Sequence, residues 1–320
     1  MHDFEDVNQH ARKTAICTLF EGDYHLGLAA FTNSLVHAGF TGTVWAGYRG
    51  KLPPWLDQLK SLGGASDEYM VADQVRLVLL PLTTSIHLTN YKPQFMLDLL
   101  AHHALGCEYL WYFDPDICLR SSWSFFADWQ RHGIALCQEI VNNILPANSP
   151  LRLQWVDIAT SIGVDGPRAL NHYYNGGMVG VPSSHAGFLD LWKRLIEHAG
   201  AIGCDLKAFQ PGNRESPFYA SDQDALNIAA MYSEVPLSTL GPEGMGFIPG
   251  GVRMYHCVGQ KPWRGSALLR ALAGTPPSNA MKFFFTQVSS PICAYSALNL
   301  HAKRLECSIA AFIGRFYSRR

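Results

Sequence analysis

The chain has 320 residues, of which 48% are hydrophobic, with 25 basic and 26 acidic side chains for a formal net charge of −1. That composition buries a large core and excludes a disordered chain, and the near-neutral balance excludes a global basic field of the kind that draws nucleic acid. Eight cysteines, at 17, 107, 118, 137, 204, 257, 293 and 307, include no Cys-x-x-Cys pair. They read as small buried hydrophobes in a reducing cytosol rather than as a zinc or disulfide framework. The N-terminus shows no signal-peptide pattern, and no apolar run reaches the about 18 residues of a membrane span.

Residues 1–13 are polar and read as loose. Thr14 to Phe20 predicts a first strand, Glu21-Gly22-Asp23 a turn, and Leu26, Ala29, Ala30, Leu35 and Val36 the buried face of a helix. Thr43 to Ala46 predicts a second strand, Trp55 to Leu62 a helix and Val75 to Leu80 a third strand. A helix over Asn90 to Leu105, with Leu97, Leu100 and Leu105 toward the core, leads into a strand at Tyr109 to Phe113. This alternation predicts an α/β fold with a mainly parallel sheet flanked by helices.

The 109–113 strand ends in Asp114-Pro115-Asp116. A buried strand that delivers two carboxylates to its carboxyl end points to a ligand site, because open α/β sheets bind ligands along that edge. Carboxylates at i and i+2 suit a hard cation such as Mn²⁺ or Mg²⁺. The same tripeptide is also ordinary turn chemistry, so the rest of the chain has to decide.

Beyond Asp116 the sequence predicts a helix at Phe125 to Arg131, a strand at Ile134 to Cys137 and a long irregular stretch over 142–172, where Pro146, Pro150 and Pro167 fall. Tyr174 to Val181 reads as a turn, carrying Asn175-Gly176-Gly177, that enters a strand. Phe188 to Ala199 is amphipathic, residues 209–217 read as a loop, and Ser221-Asp222-Gln223-Asp224 opens a helix to Met231, with a Ser or Asp as its cap. His256 to Trp263 places an imidazole, Gly259 and the Lys261 ammonium on one short loop. Residues 274–279 read as a linker. In the terminal helix expected over 293–320, Leu305, Ile309, Phe312, Ile313 and Phe316 share one side, with Lys303, Arg304, Arg315, Arg319 and Arg320 around them and Met281 to Phe285 upstream. Such a helix serves either as a membrane-interface element or as packing on the domain.

Taken in this order, Asp-Pro-Asp after a strand, Asn-Gly-Gly, Asp-Gln-Asp and His256 to Trp263 resemble the GT-A glycosyltransferases. The similarity is greatest to the retaining family 8, which includes glycogenin and bacterial galactosyl- and glucosyltransferases, and it spans residues 14 to 265. The resemblance implies a GT-A catalytic domain over residues 1–273, a C-terminal helical tail over 274–320, and transfer of a hexose from a UDP-sugar to a saccharide or lipid-linked acceptor with retention. It implies Mn²⁺ or Mg²⁺ held by Asp114, Asp116 and His256, with Asp114 also touching the ribose. Lys261, beside Gly259, would contact the diphosphate. Asp222 would hold the sugar's hydroxyls, Gln223 would lie beneath the anomeric carbon, and Asn175 and Gly176 would face the sugar. Thr18, Leu19, Phe20 and Tyr24 would cradle the base, with Lys92 near the nucleotide. One residue separates Gly259 from Lys261 where better-known members have two, which shortens this loop, and the doubled glycine at 176–177 implies a wider sugar pocket.

Two other readings start from the same residues. A haloacid-dehalogenase-type phosphohydrolase also carries Asp-x-Asp after an apolar strand, but expects Thr or Val where Cys118 stands and leaves His256 to Trp263 without a role. A non-catalytic sugar-nucleotide or glycan-binding protein would share the fold, since fold alone does not set function.

Overall fold

The computed structural model describes residues 14–63, 67–209 and 216–317. The loose N-terminal stretch, most of the 209–217 loop and the last basic pair, Arg319 and Arg320, lie outside the described residues. Strand β1 (Thr14–Glu21) is buried on both faces: Ile16 and Phe20 enter one cluster while Ala15, Cys17 and Leu19 enter another, as the two-residue period of a central strand requires. Gly22, at φ +56°, turns the chain into helix α1 (His25–His37), and β2 (Gly42–Arg49) returns beside β1.

The helix expected from Trp55 to Leu62 is a single 3₁₀ turn, Pro54–Gln58, followed by the short edge strand β3 (Lys60–Ser61). The segment's apolar residues bunch in that one turn, where Trp55 and Leu56 bury, instead of repeating over several turns. Strand β4 (Asp67–Ala72), which the pattern did not reveal, pairs with β3 and with β5 (Val75–Pro81). Helix α2 (Leu88–Asp98) is shorter than expected; one wider π turn carries the chain to His103. Leu105 therefore lies past the helix and is 73% exposed, while Leu97 and Leu100 do pack against the core.

Next come β6 (Tyr109–Phe113), β7 (Ile117–Leu119), α3 (Trp123–Trp129) and β8 (Ile134–Gln138). The stretch expected to be irregular contains helix α4 (Pro150–Ser161). Its prolines mislead: Ser149 is the N-cap, accepting from Arg152 N–H, and Pro150 is the first helical residue, where its missing N–H costs nothing. Strand β9 (Tyr174–Pro182) contains Asn175, Gly176 and Gly177, which were expected in a turn. Helices α5 (Ala186–Ala201) and α6 (Ser221–Met231) precede β10 (Leu237–Leu240) and β11 (Met254–His256). Three helices end the described chain: α7 (Ala267–Leu272), α8 (Asn279–Phe284) and α9 (Ala297–Ile313), each capped by a serine, at 266, 278 and 296.

Among the described residues the main sheet has nine strands, in the order β10-β8-β9-β6-β1-β2-β5-β4-β3. Strands β1, β2, β5 and β6 run parallel, as do β8 and β10, and β9 and β4 run against their neighbours. The expected mainly parallel α/β sheet is thus present. One face is covered by α1 and α3 and the other by α2, α4, α5 and α6. A third cluster joins Ala30 and Cys118 to Trp263, Phe284, Leu300 and Ala310, so α7 to α9 pack onto the outer side of α1. Strands β7 and β11 form a separate antiparallel pair that sets His256 opposite Ile117.

Candidate active site

The carboxyl end of β6 is where the chain gathers its charged groups. Asp114 N–H donates to the Gly177 carbonyl (2.7 Å), tying the turn to β9, and Cys257 N–H donates to the Asp116 carbonyl (3.0 Å), tying it to the end of β11. Gly27 lets α1 pass beneath: a methyl group there would lie 2.5 Å from the Pro115 carbonyl oxygen and 2.9 Å from the Trp263 ring.

Each carboxylate has one oxygen turned to a cation and the other turned inward. Asp114 Oδ1 lies 3.2 Å from Lys92 Nζ and accepts from the Tyr112 hydroxyl (2.9 Å). Asp116 Oδ2 accepts from the Lys261 ammonium, which also donates to the Cys257 carbonyl (2.9 Å). The remaining oxygens face His256 Nε2, at 3.7 Å from Asp114 Oδ2 and 3.3 Å from Asp116 Oδ1. Ligand atoms of the three residues lie within 4.8 Å of one another. Two carboxylate oxygens and an imidazole nitrogen converging on one point suit a hard or borderline divalent cation such as Mn²⁺ or Mg²⁺. Burial alone would raise the Asp116 carboxyl, but His256 and Lys261 outweigh it and hold the group well below the usual carboxylate range. Asp116 is therefore held as a carboxylate.

Lys92 is fully buried and bridges the next pair of residues. Its ammonium donates to the Gly176 carbonyl (2.9 Å) and to Asp222 Oδ2 (3.1 Å) as well as facing Asp114. Burial disfavours its charge, yet the two carboxylates more than compensate and its pKa is raised. Asp114 and Asp222, 108 residues apart, are thereby joined by one cation. Gln223 Oε1 accepts from Gly176 N–H (2.8 Å), and Trp192 Nε1–H donates to the Asp222 carbonyl (2.7 Å), which fixes the start of α6 against β9. The cap of α6 differs from expectation: Ser221 is its first residue and donates to Asn90 Oδ1 (2.7 Å), while Asp224 reaches back to accept from Ala220 N–H (2.7 Å).

The structure brings Asp114, Asp116, His256, Lys261, Lys92, Asp222, Gln223, Asn175 and Gly176 together. Tyr24 joins them through Lys261, whose Nζ lies 5.7 Å from its ring centroid, and through edge contact with Trp263. Thr18, Leu19 and Phe20 are buried within β1, and Thr18 Oγ1 has no hydrogen-bond partner among the described residues. Gly259 sits at φ +72° with open space about it, a left-handed turn that lets the shortened loop fold Lys261 back to Asp116.

Several participants were not anticipated. Glu139, just past β8, accepts from the Asn175 amide, whose Oδ1 in turn accepts from Gly177 N–H (2.8 Å). Its signal resembled that of Asp114, an acid just past a mostly apolar strand, here with Gln138 between it and the apolar run Ile134 to Cys137. Gly177, rather than Gly176, packs against His256 and Asp114. Tyr112 was hidden inside an apolar run, where its hydroxyl could not be told from core.

No protein-family model matches the sequence, and no curated protein sequence matches it. Among solved structures, the bifunctional glycosyltransferase WbbM in its apo form superposes with a TM-score of 0.54 at 12% identity, over 91% of this chain and 52% of that one. The glycosyltransferase GlyE of Streptococcus pneumoniae TIGR4 superposes with a TM-score of 0.50 at 12% identity, over 93% of this chain and 64% of that one. The chain therefore has the fold of these glycosyltransferases, a GT-A-like mainly parallel sheet flanked by helices, and spans roughly half to two thirds of their length.

Proposed function

We propose that the chain is a metal-dependent glycosyltransferase of the family 8 type. It would move a hexose, with retention, from a UDP-sugar to a saccharide or glycolipid acceptor, with residues 1–273 as catalytic unit and 274–320 as a helical tail. The observation that carries this reading is the convergence of Asp114, Asp116 and His256 at the end of β6, coupled through Lys92 to Asp222 on α6. A phosphohydrolase of the dehalogenase type leaves His256 without a role, and the presence together of both acids, His256 and Asp222-Gln223-Asp224 argues against a non-catalytic binding protein. The eight unpaired cysteines support a reducing cytosolic setting.

In this reading Asp114, Asp116 and His256 hold Mn²⁺ or Mg²⁺, which when bound supplies Lewis-acid neutralisation of the departing diphosphate. Lys261 adds an ammonium beside the same diphosphate, and Tyr24 lies against that ammonium at the nucleotide end together with the carboxyl end of β1. Asp222 accepts from sugar hydroxyls while Lys92 balances its charge. Gln223 keeps one lone pair of its amide oxygen beyond the bond from Gly176, and that oxygen lies beneath the anomeric carbon as it gains cationic character. The bond from the anomeric carbon to the phosphate oxygen breaks, the acceptor oxygen bonds to that carbon on the same face, and the acceptor's proton passes to the departing phosphate oxygen.

Glycosyltransferases of this kind hydrolyse their donor slowly when no acceptor is present. Incubation with a panel of UDP-sugars and Mn²⁺ should release UDP from one of them, and Asp116→Ala should abolish the release. Undiminished metal-dependent release by that variant would sink the metal assignment.

A further inference from the structure

Helix α9 buries Leu300, Cys307 and Ala310 against the domain and leaves a second apolar stripe facing outward. Leu298 is 86% exposed, Leu305 53%, Ile309 43%, Phe312 56% and Phe316 76%, and with exposed Ala302 they repeat at alternating steps of four and three residues. The stripe is therefore continuous over about 25 Å of helix. Such a surface on a water-facing helix marks an unpartnered contact. Helix α7, packed alongside α9, leaves Leu269 and Leu272 exposed as well, and the Tyr317 hydroxyl pins the end of the stripe to the Leu272 carbonyl (2.9 Å).

Charge selects the partner. Residues 244–320 carry ten Lys and Arg against a single acid, Glu306, whereas residues 1–243 carry fifteen against twenty-five. The chain's near-neutral total hides a strongly basic C-terminal quarter. Glu306 is itself occupied, accepting from Ser266 Oγ and from Leu268 N–H. One flank of the stripe presents His301, Ser308 and Arg315, and the other presents Asn299, Glu306 and Ile313. Even with Lys261 held at Asp116 and Arg264 at Asp23, eight Lys and Arg of this quarter stand against one acid, so a second copy laid quarter on quarter would repel the first. A bilayer containing anionic phospholipid satisfies both features, since it takes the apolar side chains at the acyl boundary and the cations at its headgroups. We infer that α9 lies in the plane of an anionic membrane surface and docks the domain there peripherally. No helix among the described residues is long and apolar enough to cross a membrane.

The test is co-sedimentation of the full chain with vesicles of phosphatidylcholine alone or mixed with phosphatidylglycerol, alongside light scattering for its mass in solution. The full chain should sediment with the mixed vesicles and not with pure phosphatidylcholine, and raising the salt should weaken the binding. Leu305→Ser with Phe312→Ser should lower the partition at least about tenfold, and Arg315→Glu should lower it further at low salt. Both hydrophobic positions are exposed, so the thermal melt should stay unchanged and a folding defect would be seen. Absence of the wild-type chain from the mixed-vesicle pellet at low salt would overturn the proposal, as would equal binding by the double variant. A concentration-dependent dimer that the double variant dissociates, without vesicle binding, would overturn it in favour of self-association. Vesicle binding reads no catalysis, so its outcome is separate from that of the UDP-sugar assay.

Discussion

A methyl group on Gly177 would lie 2.6 Å from His256 Cε1, 2.8 Å from Asn175 Oδ1 and 2.9 Å from Asp114 Oδ2. Three contacts that short cannot be relieved by one flexible side chain, so β9 can lie against His256 and Asp114 only with hydrogen at this position. Gly176 is looser, its nearest such contact being 3.3 Å to Asp222 Oδ2. Gly177→Ala should therefore weaken Mn²⁺ binding and lower turnover by about a hundredfold, the usual cost of displacing a reacting group by about an ångström, while Gly176→Ala costs less. Metal titration and donor-hydrolysis rates on both variants check this, with circular dichroism to show that the fold persists. Wild-type metal affinity in Gly177→Ala would disprove the close packing. The residue-scale chemistry was legible where it stood in linear order, since Asp114, Asp116, Asp222, Gln223 and His256 each sit in a short polar motif. The resemblance puts Lys92 near the nucleotide; that it bridges Asp114 and Asp222 depends on contacts across the fold.

At the scale of elements, the strands around the site were readable because both faces are buried and the runs are nearly all apolar. The misreadings share one cause, in that local signals were given the wrong tertiary sense. Pro150 starts α4 rather than breaking regularity, and Gly176 and Gly177 lie within β9 rather than in a turn. Helix α6 carries a further consequence. Burial raises the Asp224 carboxyl to about 7, against the opposing hydrogen bonds from the Tyr173 hydroxyl and Ala220 N–H. Its folded value exceeds its unfolded one, so the stability it contributes is complete below the unfolded value of 3.8 and is lost as pH rises through about 7. Each unit of that shift corresponds to about 1.4 kcal/mol, a ceiling given the buried setting. Denaturant melts across this window should show a slope, falling with pH, that Asp224→Asn removes, because the amide mimics the protonated acid at every pH. Parallel curves for the two proteins would show that Asp224 is ionised in the fold throughout.

For the whole molecule, the site is a junction: β6 supplies the two acids, β11 the imidazole, β9 the glycines, α2 the lysine and α6 Asp222 and Gln223, so no single segment holds it. A ligand that engages all of these must stabilise the entire fold, whatever its effect on catalysis. A ligand at a hundred times its dissociation constant adds about 2.7 kcal/mol to the folded state. In a chain of this size each kcal/mol moves the melting temperature by roughly 2 °C. On the proposed function, Mn²⁺ with UDP should then raise the melting temperature by about 5 °C, more than either alone, because a bound diphosphate would add oxygen ligands to a cation held by Asp114, Asp116 and His256. Asp116→Ala starts from a different melting temperature, since it strips Lys261 of a buried partner, so the quantity to compare is the shift on ligand addition. That shift should vanish in the variant. An equal shift in both proteins would assign the stabilisation to a site elsewhere on the chain, and no shift in the wild type would remove the nucleotide from the reading while leaving the metal-binding geometry to be tested by Mn²⁺ alone.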